Sequence, residues 1–436
     1  MSIVLSWILV LGLVSLVVYG NARAGESQAA QKMMSDERAR MVGMVVVQMK
    51  SLDSAAATSA QIRERMRPLI QQLEGEARTP EDALRIAILA GEALGPTDAR
   101  TRLSKISGTE TNHAAAEDIR SIHTIYDQGA QALSPAAKEN LIRRHGYLGR
   151  LVLANGIPVD KEPRKTLQTE AFWFTVRLSV LGVGLVVVLV LSLGAFVTAC
   201  AWFLKGKITS AYTRESFPSG VFLEGFALYL VLFLALEMLL RYVGPLGIQW
   251  TWSALLILPA VWLWTRLRGT TAGVRRQAFG WHRGRGVFRE IGAGLAGYLA
   301  GLVVIAIGIL VTLILVRFTG VRASSPIVQE LNGGPLRLAG LYAVACIFAP
   351  VMEETMFRGI FFHHLRQRWG WGVSAVSVSF IFAMLHPQGL VAAPALSAIA
   401  LVLAALREWR GSLIAPMAAH ACSNFLVLTL ALMLLR

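Results

Sequence analysis

Beyond residue 170 the chain is a series of long apolar runs separated by short basic loops, and this pattern limits the fold more than any other feature. Residues 171–436 hold 21 Lys and Arg but only eight acidic residues, none of them Asp. Eight runs of spanning length follow one another, near 178–203, 219–240, 249–265, 291–316, 339–362, 372–386, 390–406 and 412–435. About 20 apolar residues cross a bilayer as a helix, because a helix satisfies its own backbone groups. The sequence therefore predicts an all-α polytopic membrane helical bundle over residues 171–436.

A further apolar run opens the chain. Residues 2–20 carry no charge and are long enough to span a bilayer. Ala22, Arg23 and Ala24 form an A-x-A pattern of the kind that signal peptidases cut, but the segment has no basic start and its apolar run is long. We therefore interpret residues 1–24 as a membrane anchor or signal segment, and favour an uncleaved anchor.

The intervening region reads as a soluble helical domain. Residues 24–170 hold 20 basic and 19 acidic residues, and their apolar residues recur at helical spacing. Thr79 before Pro80 and Ser134 before Pro135 are typical helix starts. We predict an N-terminal soluble domain of four to six helices over residues 25–156 and a linker over 157–170. The domain contains no catalytic cluster, so we interpret it as a spacer or as a module that binds a protein partner.

The distribution of basic residues predicts the orientation. Connections on one side of the eight predicted spans carry 15 Lys and Arg, and connections on the other side carry five. The side with more Lys and Arg is cytoplasmic by the positive-inside rule, which places residues 25–170 outside the cytoplasm.

Because the excess positive charge falls in membrane loops, the chain does not resemble a nucleic-acid-binding protein. All three cysteines lie in apolar runs, so no disulfide framework or structural zinc site is indicated.

Polar side chains within the C-terminal apolar runs are the candidate functional residues, because burying them in a bilayer is costly. Six of them stand out: Glu353, Glu354, Arg358, His386, His420 and Asn424. Spacings of four residues place Glu354 beside Arg358 and His420 beside Asn424 on their helices. Counting from the cytoplasmic ends puts Glu353, His386, His420 and Asn424 within one layer, about 15–22 Å into the membrane. Three helices are thus expected to bring acid, imidazole and amide groups together.

The chemistry that such a layer supports is hydrolysis. One carboxylate can remain a base while the other pairs with Arg358, and a Glu assisted by His can deprotonate water. The second His and the Asn can donate hydrogen bonds to an oxyanion. Glu and His are also ordinary zinc ligands, so a divalent metal site is an alternative.

Three motifs in this order, E-E-x-x-x-R, F-x-x-x-H and H-x-x-x-N, resemble the CAAX prenyl protease and bacteriocin-processing (CPBP, Abi) family of intramembrane endopeptidases. Their surroundings agree: Ala349-Pro350 precedes the acid pair, Gly359 follows Arg358, and Gly411 and Pro416 precede His420. The resemblance covers residues 335–436. It does not extend to the N-terminal helical domain, which the usual family pattern lacks.

The resemblance implies a role for each motif residue. Glu353 would be the water-activating base with His386 beside it, Glu354 and Arg358 the supporting pair, and His420 with Asn424 the donors on the oxyanion side. It also implies a protein or peptide substrate, either lipid-modified or bound in the membrane, and a location in a bacterial inner membrane among membrane lipids. Family members have been interpreted both as metal-dependent and as metal-free. We expect no required metal here, because four zinc ligands at conventional spacing are not evident.

Two other functions are open from the sequence. One is a non-catalytic member of the same fold that acts as a scaffold, immunity or receptor protein through its outer domain. The other is a proton-coupled transporter, for which Glu224 and Glu237 within an apolar run are the candidate carriers. Other intramembrane protease classes are disfavoured, because the membrane half lacks Asp, H-E-x-x-H and G-x-S-G.

Overall fold

The computed structural model describes residues 3–23, 28–51, 56–106, 113–212, 220–243, 257–321, 331 and 333–435. Regular structure in these ranges is helical throughout, which confirms the all-α prediction. The chain divides into two compact units, one of residues 28–184 and one of residues 1–27 with 185–436.

The described residues of the unit 28–184 form seven α-helices before the long helix α9 (Arg164–Leu204). They are α2 (Gln28–Ser51), α3 (Ala56–Glu76), α4 (Pro80–Ala93), α5 (Pro96–Ile106), α6 (His113–Gln128), α7 (Pro135–His145) and α8 (Tyr147–Leu153). This exceeds the four to six helices expected. One reason is Gly146, whose φ of 54° ends α7 and lets α8 begin at once.

Both predicted helix starts are present. The Thr79 side chain accepts a hydrogen bond from the Asp82 backbone N–H, and the Asp82 carboxylate accepts one from the Thr79 N–H. Ser134 likewise accepts from the Ala137 N–H at the start of α7. These side chains satisfy backbone donors that have no partner within the helix.

A buried ion pair connects the first helices of this unit to α9 (Arg164–Leu204). Glu92, at the end of α4, accepts hydrogen bonds from the guanidinium of Arg164 and from the ammonium of Lys50. The irregular segment ends at Pro163, earlier than residue 170 where the predicted linker ends. Helix α9 therefore begins within this unit, at the residue that pairs with Glu92.

The second unit contains the membrane helices. They are α1 (Ile3–Arg23), the C-terminal part of α9, α10 (Gly220–Val243), α11 (Ile257–Leu267), α13 (Val287–Thr319), the helical run α14 (Pro335–Arg366), α15 (Trp371–Met384), α16 (Ala393–Arg410) and α17 (Ile414–Leu435), with α12 (Ala272–Ala278) in a loop. Seven of these are long and apolar enough to cross a membrane, whereas α11 and α15 are shorter. All nine predicted runs correspond to helices, although residues 249–256 of one run lie outside the described residues.

Helix α1 packs inside this unit against α10 and α15. Trp7 contacts the rings of Phe361 and His364, and Val10 is completely buried in the same hydrophobic cluster. At the other end of α1, Asn21 donates a hydrogen bond of 3.1 Å to the backbone carbonyl of His386. The N-terminal span therefore contacts the region that carries the motifs.

Glycines on one face of α13 allow the last two helices to approach closely. A Cβ atom at Gly301 would lie 2.5 Å from Val402 of α16, and one at Gly294 would lie 2.3 Å from the Ala415 backbone oxygen of α17. Small residues bring membrane helices within van der Waals contact, where there is little hydrophobic driving force between them. This contact fixes α16 and α17 beside the motif residues.

Helix α14 changes its winding twice around the acid pair. Two π-helical segments, Val344–Phe348 and Thr355–Phe361, flank the α-helical turn Ala349–Glu354. Pro350 lacks an N–H and its ring crowds the carbonyl one turn earlier, so a wider turn before it relieves the conflict. The acid pair thus lies on a short turn between two irregular ones.

Candidate active site

Glu353 is the centre of the candidate site. Its Oε2 atom lies 3.9 Å from Nε2 of His386 and 3.9 Å from Nε2 of His420. That oxygen is buried and receives no hydrogen bond from the described residues. Three polar atoms of three helices therefore converge at distances too long for direct hydrogen bonds and suitable for one water molecule between them.

His386 has a defined tautomer. It lies just beyond the end of α15, and its Nδ1 is 2.7 Å from the carbonyl oxygen of Phe382. A carbonyl only accepts, so Nδ1 carries the proton and Nε2 of the neutral ring presents a lone pair towards Glu353. The Asn21 bond to the His386 carbonyl holds the backbone of the same residue.

His420 is held by a carboxylate. Its Nδ1 lies 2.8 Å from Oε1 of Glu354, so the buried carboxylate accepts the Nδ1 proton. A carboxylate on the far nitrogen orients an imidazole ring. The Nε2 atom of His420 therefore faces Glu353.

Arg358 supplies the counter-charge to Glu354. The two side chains are fully buried and form an ion pair of 2.9 Å one turn apart on α14. The guanidinium also donates to the Ala400 carbonyl and lies 4.4 Å from the centre of the Phe382 ring. The predicted supporting pair is thus formed. Arg358 lies inside the site, fully buried.

Asn424 is placed one turn after His420 on α17, as its spacing predicts. Its amide donates a hydrogen bond of 2.7 Å to the carbonyl of Ala345, in the first π-helical segment of α14. A π turn leaves backbone groups without their usual partners, and Asn424 satisfies one of them. One N–H of the amide is used in this way, and the second is left for another acceptor.

Exposure separates the two glutamates. The side chains of Glu353 and His386 retain 20% and 21% of their accessible surface, whereas that of Glu354 retains none. A substrate or water can therefore reach Glu353 and His386, while Glu354 and Arg358 lie behind them.

The fit to a metal ion is poor. Across the described ranges, no group of three or more His, Cys, Asp or Glu has the geometry of a metal site. Tetrahedral zinc with nitrogen and oxygen ligands places its donor atoms about 3.4 Å apart, whereas the Glu353 oxygen is 3.9 Å from either imidazole. A zinc ion bound by these three side chains, with water in the fourth position, would need them to move closer together.

Several buried polar contacts near the site were not predicted. Arg407 is almost fully buried and donates to the carbonyls of Arg358 and Gln277. His363 is also buried, and its Nδ1 lies 2.5 Å from the Tyr212 hydroxyl. Both side chains are buried by contacts with residues that are far away in the sequence. Such contacts cannot be recognised from the local sequence pattern.

Glu224, a candidate proton carrier, has a structural partner. Both its carboxylate oxygens accept hydrogen bonds from Arg268, at 2.8 and 3.2 Å. The pair joins the start of α10 to the loop after α11, away from Glu353. The ion pair with Arg268 explains how the Glu224 carboxylate can be buried without a role in proton transport.

Comparison with known proteins agrees with the motifs. The family model described as Rce1-like, type II CAAX prenyl endopeptidase, matches residues 335–426, the segment that contains all six candidate residues. No curated protein and no solved structure matches the chain. The matched family is one of proteases. Residues 335–426 are therefore similar to Rce1-like endopeptidases of the CAAX type, and the resemblance inferred from the three motifs is confirmed over that segment.

Proposed function

We propose that the chain is an intramembrane endopeptidase that hydrolyses a peptide bond with a water molecule activated by Glu353. The observation that carries the proposal is the convergence of the buried Glu353 Oε2 with two imidazole Nε2 atoms at 3.9 Å each. Such a position holds one water between a carboxylate and an imidazole lone pair. Polar groups stabilise a transition state most when they are already correctly positioned before it forms.

In the proposed reaction the water donates one proton to Glu353 and one hydrogen bond to His386, whose neutral tautomer accepts at Nε2. The water oxygen attacks the peptide carbonyl as its proton passes to Glu353. Glu353 then returns that proton to the departing amine, and the C–N bond breaks. Glu354 pairs with Arg358 and holds His420.

The oxyanion formed by the attack needs donors. His420 is one candidate on the oxyanion side, because Glu354 holds its Nδ1 and its Nε2 faces Glu353. The second N–H of Asn424 is the other candidate donor, since its first satisfies Ala345. The two histidines therefore differ in role because their Nδ1 partners differ, a neutral carbonyl for His386 and a carboxylate for His420.

The proposed substrate is a membrane-bound or lipid-modified protein or peptide. The groups lie on helices that cross the membrane, so a peptide bond must enter the bilayer region to reach Glu353. The proposed location is a bacterial inner membrane, with residues 25–170 outside the cytoplasm by the positive-inside rule. That region would bind or select a protein partner.

Substituting Glu353→Gln tests the proposal. It keeps the side-chain volume but removes the base, so cleavage should fall about 100-fold or more. The measurement is a comparison of membrane peptides from cells that express the wild type or the variant at equal levels. Peptides whose ends appear only with the wild type identify both substrate and cleaved bond.

Glu237→Gln is the matched control, because it removes a carboxylate from an apolar run of α10 outside the site. The control should cleave as the wild type does. If the Glu353 variant keeps its phenotype and no peptide changes, the chain is a scaffold, immunity or receptor protein of this fold. Proton-coupled flux in vesicles that is lost in the Glu237 variant would instead indicate a transporter.

A further inference from the structure

The loop between α11 and α13 is held against the start of α17 by three hydrogen bonds. The Leu413 N–H donates to the Gly280 carbonyl, and the Ser412 hydroxyl donates to the His282 carbonyl. His282 donates from Nε2 to the Gly411 carbonyl at 2.9 Å. Gly280 has a φ of 66°, which glycine adopts without strain. The loop therefore has a defined conformation and a fixed distance from α17.

A cavity of about 360 Å³ lies between this loop and the first turn of α17. Its walls differ in character: Arg276 and Arg283 contribute cations, whereas Ile414 and Met417 contribute an apolar surface. Trp281 lines the same cavity, and its indole N–H donates a hydrogen bond of 3.1 Å to the Thr355 hydroxyl. The aromatic ring is thus fixed between the charged wall and the apolar one.

The cations of this cavity lack counter-charges. Residues 266–289 contain seven arginines and no acidic residue. Glu290, the next acid along the chain, already accepts two hydrogen bonds from Arg410. Arg276 and Arg283 are exposed and form no ion pair with any residue that the structure describes. An anion in the cavity would therefore meet two uncompensated guanidinium groups.

His282 is not part of the charged wall. Its Nδ1 accepts from the Gly284 N–H while its Nε2 donates, so both nitrogens are used by the neutral ring. Burial and the charge of Arg407 lower the pKa of His282, and the nearby charge of Arg276 adds to this effect. His282 shapes the loop, and the two arginines carry the charge.

We propose that this cavity binds the phosphodiester headgroup of an anionic phospholipid. Guanidinium groups pair well with phosphate oxygens, and Trp is favoured at the depth of lipid headgroups. The apolar wall belongs to α17, a membrane helix, so acyl chains can continue along it. Free phosphate would use the arginines but not the apolar wall, which favours the lipid.

The test measures binding by the full chain, purified in an uncharged detergent, of short-chain dioctanoyl-phosphatidylglycerol. Dioctanoyl-phosphatidylcholine and inorganic phosphate are the comparison probes. Phosphatidylglycerol should bind at least about ten-fold more tightly than either. The variant Arg276→Gln/Arg283→Gln should weaken its binding about 30-fold, about five-fold for each arginine near an anionic lipid.

Lys205→Gln/Lys207→Gln is the matched control, since it removes two exposed cations from another loop on the same predicted side. Its affinity for phosphatidylglycerol should stay within about two-fold of the wild type. Equal losses in the two double variants would show that only diffuse charge attracts the lipid and would overturn the site. Equal affinity for phosphatidylcholine, or for inorganic phosphate, would also overturn it. The exposed single variant Arg283→Gln gives a second measurement if the double variant is unstable.

Discussion

At the scale of the residue, the two adjacent glutamates have different environments because neighbouring helix positions point about 100° apart. Glu353 faces the two imidazole Nε2 atoms and keeps a fifth of its surface, while Glu354 is sealed beside Arg358 and His420. One carboxylate is thus free to act as a base, and the other is neutralised by its neighbours. This is the separation of roles that acid–base chemistry with two carboxylates requires.

Removing Glu354 should damage stability as well as activity. Glu354→Gln leaves the buried Arg358 without its counter-charge, which costs about 3–5 kcal/mol. The measurement is the free energy of unfolding of the full chain in mixed micelles. The double variant Glu354→Gln/Arg358→Met removes both charges and should recover much of that loss without recovering cleavage. If the single variant is as stable as the wild type, the pair has no structural role.

The spacing of the three central atoms predicts that the chain works without a bound metal. Purified protein should contain far less than one equivalent of zinc by elemental mass spectrometry, because its donor atoms lie farther apart than zinc requires. Cleavage of an identified substrate should also survive dialysis against a chelator. Stoichiometric zinc that is lost in a His386→Ala variant would contradict this prediction.

At the scale of the element, α14 owes its irregular winding to its own sequence and to α17. Pro350 removes a backbone donor, and Asn424 compensates one carbonyl of the adjoining π segment. Helix α1 acts on the same region from the other side, through Trp7 at one end and Asn21 at the other. The candidate residues are therefore in contact with helices from both ends of the chain.

We expect α1 to remain on the mature protein. Val10 is fully buried against the motif region, and Asn21 binds the His386 backbone, so removing the helix would expose this surface. The intact mass of the membrane-extracted chain should include residues 1–23. A mass that corresponds to cleavage after Ala24 would contradict the prediction.

The packing of α1 can also be measured directly. Val10→Ser should lower the free energy of unfolding by about 1–3 kcal/mol, because it leaves a cavity and a poorly satisfied hydroxyl. Ile8→Ser is the control, since Ile8 is 62% exposed on the outer side of α1. Its hydroxyl can bond to its own helix, so the effect should be small. Equal effects of the two changes would mean that α1 does not pack specifically.

At the scale of the whole molecule, the chain combines two units, each with its own hydrophobic core and its own buried ion pair. The membrane unit also has close contacts between helices at glycines of α13. The contact boundary between the two units falls at residue 184, inside helix α9. This helix includes residues 164–170, half of the expected linker.

The pH dependence of the unit of residues 28–184 should follow Glu92. Burial raises the pKa of Glu92, but the hydrogen bonds and charges of Arg164 and Lys50 outweigh it, so this pKa lies below the ordinary 4.5. As the pH falls, the Glu92 carboxylate is therefore protonated at a higher pH in the unfolded state than in the folded state. The contribution of Glu92 to stability is therefore complete above pH 4.5 and is lost as the pH falls from there through the folded-state pKa.

Hydrogen exchange of the α4 amides in the full chain measures this effect. Protection should be constant from neutral pH to about 4.5 and should decline below it, after correction for the intrinsic exchange rate. Glu92→Gln should lower protection at neutral pH and flatten the decline. Glu81→Gln, which also lies on α4, is the control and should retain the wild-type profile. A Glu92 variant with unchanged protection would contradict the prediction.

The sequence by itself determined the helical class, the number of apolar helices, two helix caps and the six candidate residues, because periodicity, charge and spacing are local properties. It did not determine which glutamate is exposed, how each imidazole is protonated, or that α1 packs beside His386. It also left the buried Arg407 and the cavity beside Trp281 among ordinary loop residues. These features depend on contacts between residues far apart in the chain, such as His420 with Glu354 and Asn21 with His386. Only the packing of the helices brings such groups within hydrogen-bonding distance, so the tertiary structure decided them.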